Sequence, residues 1–111
     1  MSADFSETDR LLKSVVRRIV EAFDPERIIL FGSYASGQPT LNSDLDLLIV
    51  MGNGEERPAQ RSARVARILL DIPFPMDIVV RTPEEVERRL SIGDYFIREI
   101  LEQGLTLYER A

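Results

Sequence analysis

The sequence contains no cysteine and no histidine. The first absence removes disulfides and thiol catalysis. Together they remove Cys/His zinc sites and every acid–base mechanism built on imidazole. Any metal chemistry must then run on carboxylate oxygens, the donors that suit Mg²⁺, Ca²⁺ or Mn²⁺. Lysine is almost missing too: Lys13 is the only one, and every other cationic side chain is arginine. Genome composition accounts for that bias, and so does phosphate or carboxylate recognition by the two-pronged guanidinium. No apolar run approaches the length of a membrane span, so neither a bilayer crossing nor a membrane partner is expected. Residues 1–9 are polar and acidic, which excludes a secretory signal and makes the cytoplasm the expected compartment. A basic field is also lacking: the formal net charge is −5, so no direct nucleic-acid binding is expected.

What is present fits one domain, residues 1–111, with a modest core. From Ser6 to Phe23 apolar residues recur on one helical face, at Leu11, Leu12, Val15, Val16, Ile19, Val20 and Phe23. Ser6 is placed to cap this helix, and Asp24-Pro25 ends it. Arg27 to Phe31 reads as a buried strand, Gly32 to Asn42 as a loop with a short helical turn, and Ser43 to Met51 as a second strand. Gly52-Asn53-Gly54 marks a turn. Glu55 to Asp71 reads as a second long helix with Val65, Ile68 and Leu69 toward the core, and Met76 to Arg81 as a third strand. Thr82-Pro83-Glu84-Glu85 carries the capping pattern of a helix start. A further helix follows Asp94, with Phe96, Ile97, Ile100 and Leu101 inward and Gly104 as its stop, before a short strand from Leu105 to Tyr108. The expected fold is α/β (α+β): one small mixed sheet with helices packed mainly on one face.

The chemistry-bearing segment is Phe31-Gly32-Ser33-Tyr34-Ala35-Ser36-Gly37, followed by Asn42-Ser43-Asp44-Leu45-Asp46-Leu47. Residues two apart on a strand share a face, so Asp44 and Asp46 project together while Leu45, Leu47 and Ile49 point into the core. Two adjacent carboxylates repel, and a divalent cation offsets that repulsion directly. Asp77 interrupts the apolar strand Met76 to Arg81; a charge there is costly unless it is paired or ligates a metal. If that strand neighbours the Asp44–Asp46 strand, three carboxylates converge into a hard-oxygen site for one or two Mg²⁺. Gly32 allows close backbone approach to a ligand, and Ser33 offers a hydroxyl and an N–H at the start of a helical turn, where anions are attracted. Each feature alone has a plainer reading. Asp-x-Asp pairs occur on exposed strand ends, Gly-Ser after a strand is a common turn, and Asp77 can pair with Arg81.

In combination, Gly-Ser, ten intervening residues, Asp-x-Asp and a later Asp in an apolar strand resemble the DNA polymerase β nucleotidyltransferase superfamily. The short length and the runs Leu30 to Gly37 and Ser43 to Leu47 look closer still to its minimal nucleotidyltransferase (MNT) members. The resemblance covers Arg27 to Val80 and extends to Tyr108. It implies that Gly32 and Ser33 hold the triphosphate of ATP or another NTP, and that Asp44, Asp46 and Asp77 are the catalytic, metal-binding residues for two Mg²⁺ ions. The implied reaction is attack of an acceptor hydroxyl on the α-phosphate with loss of pyrophosphate, Asp77 serving as protein base. One departure weakens the match: many members carry arginine where this chain has Ser36. Arg61, Arg64 and Arg67 form a candidate substitute, although a helical arginine stripe is more often a solvated face.

Stand-alone MNT proteins resemble antitoxins that pair with a HEPN-domain ribonuclease toxin and neutralise it by adding AMP to a tyrosine. The resemblance therefore implies a protein adenylyltransferase in a toxin–antitoxin system, with a HEPN toxin as partner and homo-oligomerisation left open. Two rivals stand beside it. One is a non-catalytic antitoxin that binds its partner by contact alone; the other is a small-molecule nucleotidyltransferase of the aminoglycoside type.

Overall fold

The computed structural model of the chain describes residues 3–39, 43–52 and 56–111, with side chains from residue 8 onward. The expected turn residues Asn53 and Gly54, and Asn42 in the loop, lie outside the described residues, as does the side chain of Ser6. Helix α1 spans Ala3–Phe23, so Ser6 falls within it rather than at its start. Its apolar face behaves as its spacing predicts, with Val15 and Ile19 fully buried. The helix stops where Asp24 turns to a positive φ of 48°, and Arg110 Nη1 donates to the Asp24 carbonyl at 3.0 Å.

Four strands follow: β1 (Arg27–Phe31), β2 (Leu45–Val50), β3 (Met76–Arg81) and β4 (Leu105–Glu109), in the order β3-β2-β1-β4. β1 runs antiparallel to β2 and to β4, whereas β2 and β3 are parallel. A parallel pair needs a crossover, and α3 (Pro58–Arg67) supplies it. The helix is shorter than the expected Glu55 to Asp71. Proline at position 58 excludes Arg57 from the helical region, and Arg57 adopts an extended φ/ψ of −71°/150°. At the far end Ile68 caps the helix and residues 68–71 form turns.

The two central strands read as nearly continuous apolar runs because both faces of the sheet are covered. On one face Ile28, Leu30, Leu45, Leu47, Ile49 and Val80 pack with Val15 and Ile19 of α1 and Val65 of α3. On the other, Ile29, Leu48 and Val50 pack with Val86 of α4 (Pro83–Ser91) and Ile97 and Ile100 of α5 (Tyr95–Gln103). The larger cluster lies under α1 and α3, and α4 and α5 add a smaller cover on the second face, so the helices divide between the two faces.

Both of these helices start as their sequences specify. Thr82 accepts a hydrogen bond from Glu85 N while the Glu85 side chain accepts from Thr82 N, and Asp94 accepts from Ile97 N at 3.1 Å. Gly104 ends α5, but not through a left-handed cap: its φ is −73°. A Cβ at this position would stand 2.5 Å from the Ile100 carbonyl oxygen and 2.6 Å from Ile29 Cγ2. Glycine is required because the turn into β4 presses against β1. Phe96, expected inward, remains half exposed and meets Phe31 edge-on at 5.8 Å. Among the described residues no helix is long and apolar enough to cross a membrane.

Candidate functional site

The strand pairings decide which carboxylates meet. In the parallel β2–β3 register Asp46 stands opposite Asp77, and in the antiparallel β1–β2 register it stands opposite Phe31. Asp46 and Asp77 therefore sit side by side, on the face that carries Leu48 and Val50. That face is covered by α4 and α5 only beyond the two aspartates: Leu48 and Val50 are buried, Asp46 is half-buried and Asp77 is exposed. Asp77 consequently lies on an open edge strand, not in the buried strand its apolar neighbours suggest. Asp44 stands just outside the strand, exposed, because β2 begins at Leu45 rather than Ser43.

Burial pushes the Asp46 carboxyl above the usual aspartate range, and the charges of Asp77 and Asp44 push it further. Among the described residues none of the three aspartates forms an ion pair. Pairing of Asp77 with Arg81 does not occur; the Arg81 guanidinium donates to the Val80 carbonyl at 3.0 Å. Side-chain convergence is less complete than the register: among the described residues no three acidic groups close on one point as a finished metal cage. Asp46 and Asp77 are brought together, while Asp44 is felt by Asp46 only through its charge. Mutual repulsion keeps such carboxylates apart until a cation joins them. Hard oxygen donors without a cationic partner are the chemistry that a divalent ion of the Mg²⁺ class fits.

The loop after β1 is built against this cluster. Gly32 has a φ of 79° and a ψ of −156°, a conformation open in practice to glycine alone. A Cβ at this position would lie 2.2 Å from Asp46 Oδ2, so only glycine lets the loop pass the carboxylate. The short helix α2 (Ser33–Ser36) follows. Ser33 Oγ donates to Ser43 Oγ at 2.9 Å, tying the Gly-Ser loop to the residue before Asp44. Ser36 Oγ donates back to the Ser33 carbonyl at 3.0 Å.

The arginine stripe expected as a candidate phosphate contact belongs to a helix on the other side of the sheet, packed there through Val65. Arg61 is 1% exposed and binds both carboxylate oxygens of Glu85, at 2.7 and 2.9 Å. Arg64 pairs with Glu56 and lies over the Phe23 ring, its guanidinium carbon 5.3 Å from the centroid. Arg67 is solvent-exposed. Residue spacing alone could not separate these fates.

Sequence reasoning missed Ser43 as a link between the loops, and it missed a cavity of about 270 Å³ beside Gly32. Phe31, Ser36, Phe96, Glu99 and Gln103 are among the residues that line this cavity. A signal existed: residues 96, 99, 100 and 103 share one face of a helix.

The chain is similar to known proteins over most of its length. The profile of the family described as "Nucleotidyltransferase domain" matches residues 10–107. A candidate protein adenylyltransferase of Methanocaldococcus jannaschii is 34% identical over 83 residues, 75% of this chain and 78% of that protein. A crystal structure of a candidate nucleotidyltransferase from Sulfolobus solfataricus superposes with a TM-score of 0.66 at 25% identity, covering 91% of this chain and 79% of that one. The Gly-Ser loop, the paired aspartate strands and the extent of these matches lead to one conclusion: the chain belongs to the nucleotidyltransferase domain family.

Proposed function

We propose that the protein is a protein adenylyltransferase that moves AMP from ATP to a hydroxyl group on a partner protein. The observation that carries this reading is the placement of Asp46 beside Asp77, with Gly32 packed against the Asp46 carboxylate. Gly32 and the Ser33 N–H and hydroxyl offer a triphosphate close backbone approach and hydrogen-bond donors. A divalent cation held by Asp44, Asp46 and Asp77 would supply neutralisation of phosphate charge and acidification of the acceptor hydroxyl. The acceptor oxygen forms a bond to the α-phosphorus, the bond from that phosphorus to the bridging oxygen breaks, and pyrophosphate leaves. The Asp77 carboxylate takes the acceptor proton; with no histidine in the chain, it is the best-placed base.

Two points favour a protein acceptor. Asp44 and Asp77 are exposed, and β3 is an edge strand, so a bulky substrate can reach them. The M. jannaschii relative is named for protein adenylylation. A tyrosine of a HEPN-domain toxin is the acceptor we propose, which makes the chain an antitoxin acting in the cytoplasm. Incubation with α-labelled ATP, Mg²⁺ and a purified HEPN protein from the same source tests this. The expected result is one labelled protein, with label on tyrosine and none when Asp77 is replaced by Asn. Tight complex formation with no label transfer would favour a binding antitoxin instead.

A further inference from the structure

We propose that the cavity between α2 and α5 seats the nucleobase, and that Glu99 and Gln103 make it select adenine. The proposal rests on the nucleotidyl-transfer reading and adds to it where the base sits and which residues select it.

Position comes first. Gly32 lines the cavity on one side and abuts the Asp46 carboxylate on the other. A nucleotide whose base enters the cavity can pass its sugar and phosphates over Gly32 toward Asp46 and Asp77 without leaving the surface. Size comes second. About 270 Å³ lies below the roughly 300 Å³ at which pockets for drug-sized ligands begin. That volume suits one planar ring system, not a peptide segment.

The lining carries the chemistry. Phe96 is half exposed although it is large and apolar, and its ring is held edge-on to Phe31 at 5.8 Å. An aromatic ring held in place with a free face is a stacking platform for a base. Glu99 and Gln103 stand one turn apart on the same helix face, and among the described residues neither side chain has a hydrogen-bond or ionic partner. A carboxamide can donate to a ring nitrogen of adenine and accept from its exocyclic amine. A carboxylate only accepts, so Glu99 favours the amine of adenine and repels the carbonyl oxygen that guanine carries at the same position. An acceptor tyrosine is the less fitting occupant. Its one polar atom must lie at the α-phosphate, which leaves both Glu99 and Gln103 without a partner.

Calorimetric titration of the full chain with Mg²⁺ and ATP, GTP, CTP or inorganic tripolyphosphate tests the inference. ATP is expected to bind most tightly, about tenfold or more above tripolyphosphate, the difference being the contribution of the base. Phe96→Ala and Gln103→Leu should bring ATP down to the tripolyphosphate level while tripolyphosphate itself binds as before, which also certifies the fold. Glu99→Gln should narrow the ratio of ATP to GTP affinity. If tripolyphosphate binds as tightly as ATP, or all the nucleotides bind alike, the base is not held and the inference fails, whatever the variants do. If the variants leave ATP affinity intact and raise only the KM for the acceptor, the cavity belongs to the acceptor and the inference is overturned. Binding of neither ATP nor tripolyphosphate would overturn the transfer reading itself, and the base site with it.

Discussion

Gly32 and Asp46 are in contact so close that a single added carbon would break it: a Cβ on Gly32 would lie 2.2 Å from Asp46 Oδ2. The Gly-Ser loop and the carboxylate strand are thus fitted to each other through the one residue type that has no side chain. Gly32→Ala must move the carboxylate, and it also places an L-residue at a φ of 79°. The expected cost is about 1–3 kcal/mol of stability. Nucleotidyl transfer should fall more than unfolding explains. Thermal melts together with transfer assays below the melting temperature check this; a folded variant with full activity would refute the fit.

The aspartates should separate by role. Asp44→Asn and Asp46→Asn are expected to abolish Mg-NTP binding and transfer together. Asp77→Asn keeps the side chain's shape, so Mg-NTP binding should survive while kcat falls by about 10²-fold or more. NTP titrations beside single-turnover transfer measure the split. Equal loss of binding in all three variants would remove the division of labour.

The same cluster should be a cost to the fold. Asp46 sits between the charges of Asp77 and Asp44, and its carboxyl is pushed up by burial and by both neighbours. For an acid raised in the folded state, stability is greatest below the ordinary aspartate pKa and declines as pH rises through the folded value. Asp46→Asn should therefore stabilise the nucleotide-free protein at neutral pH by about 0.2–1 kcal/mol. The measurement is a melting curve at pH 7 and again at pH 3.5; the gain should shrink at the lower pH.

Ser33 Oγ and Ser43 Oγ are 2.9 Å apart and join the loop to the segment that leads into β2. Ser33→Ala should weaken nucleotide use by about 1.5–3 kcal/mol if its hydroxyl meets a charged phosphate oxygen. Ser43→Ala should act through Ser33 and cost less. A double-mutant cycle on kcat/KM is expected to show coupling between them; strict additivity would mean that the bond has no bearing on turnover.

Arg61 of α3 is 1% exposed and bonded to Glu85 of α4, which also closes the cap of that helix. Burial raises the Glu85 pKa, but the Thr82 N–H and the Arg61 guanidinium together outweigh it, leaving the carboxyl below its ordinary value. Its contribution is thus complete above the ordinary glutamate pKa and is lost as pH falls through the lowered value. Glu85→Gln leaves a buried guanidinium without its counter-charge, at a cost of about 3 kcal/mol at pH 7. Denaturant curves from pH 7 down to pH 3 should show the difference from the wild type narrowing as acid protonates Glu85. Replacing Arg61 with Met in the same chain should recover part of the loss.

The elements were legible because their signals are local. The spacing of apolar residues from Leu11 to Phe23, the Thr82-Pro83-Glu84-Glu85 cap and the Gly104 stop each act within a turn or two of chain. The Gly-Ser and Asp-x-Asp pattern likewise carries the resemblance to the nucleotidyltransferase family and marks Gly32, Ser33, Asp44, Asp46 and Asp77 as candidates. Alternation along a strand also put Asp46 on the face opposite Leu45 and Leu47. What periodicity could not supply is which strand lies beside which. Asp77 neighbours Asp46 only because β3 pairs in parallel with β2 in that particular register, and strand pairing depends on contacts far apart in sequence. The same limit hid the burial of Arg61 against Glu85, 24 positions away, the reason Gly104 must be glycine, and the cavity beside Gly32. Local sequence sets what a segment prefers to be; the side chains that a residue meets are set by the packing of segments that sequence order leaves far apart.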